Sequence, residues 1–139
     1  MRRIRAVYRA GGGRALPLVL DLVLVVAFAI IGRMSHSEGV SLAGIVTTGW
    51  PFVIALLLGW VLVTLFRWKP WRPFPSGLFI WVVTVSGGML LRLAIGDTAE
   101  VAFIIVATIV LGAFLLIPRL LLGTGREARS TPHSAKSVR

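Results

Sequence analysis

Residues 45–66 read IVTTGWPFVIALLLGWVLVTLF, 22 positions without one charged side chain. A helix rises about 1.5 Å per residue and the hydrocarbon core of a bilayer is about 30 Å thick, so such a run is long enough to cross it. The run is apolar on consecutive positions and does not alternate. That excludes a barrel strand and predicts a transmembrane helix, whose backbone polar groups are satisfied within the segment.

Three further runs of the same kind flank it. The first covers residues 16–32 with Asp21 as its only charge, and the third covers 77–95 with Arg92 near its end. The fourth, 101–122, stays uncharged until Arg119. The sequence therefore predicts an all-α membrane protein with a four-transmembrane-helix bundle at 16–122. It is preceded by a basic flank at 1–15 and followed by a basic tail at 123–139. The tail is rich in Ser, Thr, Gly and Arg without apolar periodicity, and it reads as disordered.

Threading follows from where Lys and Arg fall. Of the 15 in the chain, only Arg33 and Arg92 lie on one side, beside Glu38, Asp97 and Glu100. The other 13 crowd the two ends of the chain and the loop between spans two and three. Both termini are accordingly expected in the cytoplasm, with the protein multi-pass in the plasma membrane. The formal charge of +10 then describes topology and attraction to anionic headgroups of the inner leaflet, and not a nucleic-acid-binding face. Asp21 interrupts the first run and no small-residue cleavage site precedes Arg33, so a cleaved signal peptide is not expected.

The chain has no Cys, Asn or Gln. Disulfides and thiolate chemistry are excluded. Hydrogen bonding inside the membrane falls to Ser, Thr, Trp, His and the few charges. No catalytic set, cofactor motif or metal-ligand spacing is present; His36 alone is too little for a metal. Gly11–Gly13 lacks the Lys and Ser or Thr that would complete a phosphate loop and reads as a hinge.

Polar residues at membrane depth are costly, so each needs a reason. Counting helical rise, Asp21 lies roughly 7 Å from the inner end of span one. Trp60 and Trp81 reach a similar level from spans two and three. An inner cluster of Asp21, Trp60 and Trp81 is therefore expected, the indole N–H groups donating to the carboxylate. In the alternative, Asp21 reaches the inner headgroups beside Arg14. The same ruler predicts an outer cluster of Arg33, His36, Thr47, Trp50 and Arg92, with Glu38, Asp97, Glu100 or an anionic ligand as partners. Asp21 and Arg92 are offset by roughly 15 Å along the membrane normal and should not pair.

Trp81, Thr84, Gly88 and Arg92 share one helical face of span three, predicted to point into the bundle. Ala55 with Gly59 and Gly87 with Gly88 suit tight helix packing or a homodimer seam. Pro51 is expected in the first turns of span two, where a missing N–H costs little. The loop Arg67–Pro75 interleaves Trp68, Trp71 and Phe74 with basic residues and reads as an anchor along the inner interface.

Asp21, the Gly32-Arg33 pair with His36, Trp50-Pro51-Phe52, Gly59-Trp60, Trp81 with Thr84-Val85, Gly88-Met89 and Arg92 together resemble the small bacterial membrane proteins grouped as domain of unknown function 3054. The resemblance covers about residues 20 to 117. It implies a four-helix integral membrane protein without an assigned activity and marks the same polar residues.

Three classes of function stay open on these grounds. One is a non-enzymatic helix-packing, partner-binding or lipid-binding protein with a polar cluster near its outer face, and this is the reading preferred. A second is a small transporter of protons or an organic anion, which would need a dimer to enclose a path. The third is an intramembrane enzyme using His36 with Arg33 and Arg92.

Overall fold

The computed structural model describes residues 14–34 and 39–123. The hinge expected at Gly11–Gly13, His36, Glu38 and the tail expected to be disordered lie outside the described residues. All regular structure among them is helical: α1 (Ala15–Met34), α2 (Leu42–Leu65), α3 (Leu78–Ala94) and α4 (Val101–Gly123). Each of the four is long and apolar enough to cross a membrane.

Local chemistry sets the boundaries. Ser41 accepts from the Gly44 N–H at 3.1 Å and starts α2 three residues before the uncharged run begins. Pro51 is consequently in the interior of α2, not in its first turns. Its missing N–H leaves the Thr47 carbonyl without its i+4 donor. A single wide turn, Pro73–Gly77, leads from the loop into α3.

α1 packs on α2 and α4, and α3 packs on α2 and α4. The α2–α3 seam is the closest, and small residues make it so. A Cβ added to Gly87 would stand 2.9 Å from the Ala55 methyl, and one on Gly88 would overlap the Phe52 ring. The small-residue faces are thus used within the chain. Buried positions recur every three or four residues on α1 (Pro17, Asp21, Val25, Phe28) and every four on α4 (Ala107, Leu111, Leu115, Arg119).

The core between them includes Val25, Phe28, Phe52, Leu56, Val63, Ile80, Leu111 and Leu115. Phe28 meets Phe52 edge to face at 5.3 Å, and Phe103 leans on both at 6.2 Å. On every helix the opposite face exposes large apolar side chains, such as Val23, Leu58, Val82 and Ile109. In water such patches would drive association; in a bilayer they face solvent of their own kind.

Part of the loop between α2 and α3 packs into the bundle. Trp68 turns inward against Phe66 and Phe79 at 5.3 and 5.6 Å, and Pro70 is fully buried. Phe74 is 71% exposed and points away.

Candidate functional site

Two polar centres occupy opposite ends of the helices. The first lies where the start of α1 meets the ends of α2 and α4. Asp21 is 1% exposed and is held by a guanidinium absent from the predicted cluster, that of Arg119. Nη1 of Arg119 donates to Asp21 Oδ1 at 2.8 Å and Nη2 to Oδ2 at 2.6 Å, a two-pronged ion pair. The Trp60 indole N–H donates to Oδ2 at 2.8 Å. Arg119 spends its remaining bonds on backbone: Nε to the Pro70 carbonyl at 2.9 Å and Nη1 to the Leu115 carbonyl at 2.6 Å.

One side chain of α4 therefore ties together α1 and the α2–α3 loop. Asp21 does not reach outward beside Arg14, because both of its oxygens are already satisfied inside. The pairing of Asp21 with Trp60 expected from depth is present. Trp81 is not part of it; its indole donates to the Thr108 carbonyl on α4 at 3.0 Å. The indole meets α4 seven residues, or about 10 Å of helical rise, from the Leu115 carbonyl beside the Asp21 pair, so the reach and direction of the side chain, which depth counting along the backbone does not give, separate the two. Thr84 is buried and bonds back to the Ile80 carbonyl at 2.7 Å. The shared face of Thr84 and Gly88 is buried, with Trp81 and Arg92 partly so at its ends.

The second centre surrounds a cavity of about 620 Å³ between the end of α1, the start of α2, the end of α3 and the start of α4. Its polar wall is made by Arg33, Thr47, Thr48, Arg92, Asp97, Thr98 and Glu100. Its apolar wall is made by Phe28, Ile31, Phe103, Val106 and Val110. Arg92 is fixed by three contacts: Nη2 to Asp97 Oδ2 at 2.8 Å, Nη2 to the Thr98 carbonyl at 3.2 Å, and its guanidinium carbon 4.6 Å from the centre of the Phe103 ring. Arg33 donates to the Gly39 carbonyl at 3.5 Å. Its guanidinium fills the space that a Cβ on Gly44 would need.

Of the expected outer cluster, Arg33, Thr47 and Arg92 thus share one cavity wall. Trp50 does not line the cavity and is partly buried on α2. Arg92 takes Asp97 from the α3–α4 loop and Phe103 from α4. Among the described residues no group of three His, Asp or Glu side chains is placed to hold a metal ion. The cavity can hold a molecule with a charged end and an apolar end, since its two walls separate those chemistries.

Two residues were hidden from sequence reasoning. Arg119 enters the threading count among the 13 basic residues of the chain ends and inner loop, although Leu120, Leu121 and Leu122 follow it and place it within the span. Phe103 carried no polar signal at all. No curated protein and no solved structure matches the chain. A family model spanning residues 18–122, from just before Asp21 to just after Arg119, does match. The chain belongs to that family, described as protein of unknown function (DUF3054).

Proposed function

We propose that this chain is a non-enzymatic protein of the plasma membrane, threaded with both termini in the cytoplasm, whose four-helix bundle binds a phospholipid of the outer leaflet. The observation that carries the reading is the cavity, which combines a charged rim with an apolar wall around one open pocket of about 620 Å³. That volume lies within the range of about 300–1,000 Å³ usual for small-molecule sites. It suits a headgroup with the first part of one acyl chain.

The other polar centre favours binding over transport. A proton carrier needs a carboxyl group that can exchange its partners, and Asp21 is enclosed by Arg119 and Trp60, which place three donors on its two oxygens. The clasp closes the basic end of the helices.

Native mass spectrometry of the full chain in mild detergent tests the reading. A bound phospholipid is expected, and Val106→Trp, which places an indole at the cavity wall, should displace it while the thermal transition is retained. Absence of bound lipid from the wild-type chain overturns the proposal. Proton or organic-anion flux in proteoliposomes would favour a carrier instead.

Threading is tested separately, and the lack of native Cys makes it direct. In right-side-out vesicles, Val40→Cys should react with a membrane-impermeant thiol reagent. Ser134→Cys should react only after the vesicles are opened. The reverse pattern would put the cavity in the inner leaflet.

A further inference from the structure

Among the described residues the cavity wall carries two positive and two negative side chains, Arg33 and Arg92 against Asp97 and Glu100. The formal charges of these four cancel. A ligand carrying one sign of charge leaves the opposite half of this wall without a partner, whereas a zwitterion can face both halves.

The four groups are not equally engaged. Both Asp97 oxygens are occupied, Oδ2 by Arg92 and Oδ1 by the Thr98 N–H at 2.8 Å. Glu100, by contrast, makes no side-chain hydrogen bond or ion pair among the described residues, although it lines the same cavity. Arg92 retains a buried Nε that donates to nothing among them. One wall thus offers an acceptor for a cation, and the Arg92 guanidinium offers a donor for an anion.

We infer that the headgroup taken by this cavity is zwitterionic, a phosphate ester bearing a primary ammonium, with Glu100 receiving the ammonium and the Arg33 and Arg92 guanidinium groups facing the phosphate. The inference rests on the phospholipid-binding reading and adds its selectivity. A primary ammonium brings three donors to one carboxylate, which a trimethylated head cannot do. A glycerol head gives Glu100 no cation and leaves the site with an excess negative charge.

Glu100 also immediately precedes α4, where a carboxylate favours the helix N-terminus. That structural role predicts a stability change without a change in selectivity, so the two are separable. Full-length protein is titrated in mild detergent with phosphatidylethanolamine, phosphatidylglycerol and phosphatidylcholine, and bound fractions are read by native mass spectrometry. Phosphatidylethanolamine is expected to lead. Glu100→Gln should reduce its advantage over phosphatidylglycerol about threefold, a size suited to an exposed ion pair. Glu100→Arg should invert the order.

Equal or stronger binding of phosphatidylglycerol by the wild-type chain overturns the inference. So does a preference that survives Glu100→Gln while only the thermal transition moves, which would assign Glu100 to the helix end. If no lipid is bound, or if Val106→Trp displaces none, the phospholipid reading itself fails, whatever Glu100 does.

Discussion

Arg119→Met is expected to lower stability by about 3–5 kcal/mol, read as a drop in the thermal transition of the detergent-solubilised chain. The cost does not measure the worth of the ion pair. Two charges taken out of water lose hydration that their attraction only about repays, so a buried pair is weak evidence of net stabilisation. Removing one partner is different. It leaves the Asp21 carboxylate, 1% exposed, facing a single indole N–H, and it strips the Pro70 and Leu115 carbonyls of side-chain donors. Asp21→Leu combined with Arg119→Met should therefore be more stable than Arg119→Met alone. It should not recover fully, since the Trp60 indole and the Pro70 carbonyl each forgo a bond worth about 1 kcal/mol. A double variant no better than the single one would show that the helices are held elsewhere.

The same pair marks the boundary of what a sequence can disclose. The spans were legible because length and apolarity are properties of a segment by itself, and the helices fall within a few residues of the runs that announced them. Where they differ, a short-range interaction decides, as with the Ser41 cap that begins α2 early and leaves Pro51 in its interior. Asp21 with Trp60 was legible because both sit at one depth, and depth can be counted along a helix. Arg119 sits at that depth too, only four residues from the end of α4. It was masked by resemblance to the basic tail, where a cation needs no explanation.

Azimuth was not legible. By backbone count Trp81 matches Asp21, yet its indole reaches Thr108, about 10 Å along α4 from the Leu115 carbonyl at the Asp21 pair, and which neighbour a side chain meets depends on its own direction and on helix rotation and pairing. The cavity shows the same limit. Arg33, Thr47 and Arg92 could be grouped at one end from their positions in three spans. That α4 would supply Phe103 beneath Arg92 could not, because an apolar residue in an apolar span carries no signal of what it faces.

Gly88→Val is expected to produce the second-largest loss, about 1–3 kcal/mol and toward the upper part of that range. A Cβ there would overlap the Phe52 ring, and Phe52 has nowhere to go. It is fully buried, meets Phe28 edge to face at 5.3 Å and is backed by Phe103 at 6.2 Å. Gly32→Ala is the matched control, since nothing stands within 4 Å of its added methyl. There alanine should raise stability, by about 0.5–1 kcal/mol, through its better helix propensity. Phe52→Leu with Gly88→Ala should recover part of the loss by vacating the ring's place. Phe28 and Phe103 also line the cavity, so a displaced Phe52 has a second consequence. Gly88→Val should weaken retention of bound lipid in native mass spectrometry although Gly88 itself does not line the cavity. A variant that melts early yet keeps its lipid would uncouple the aromatic cluster from the cavity above it.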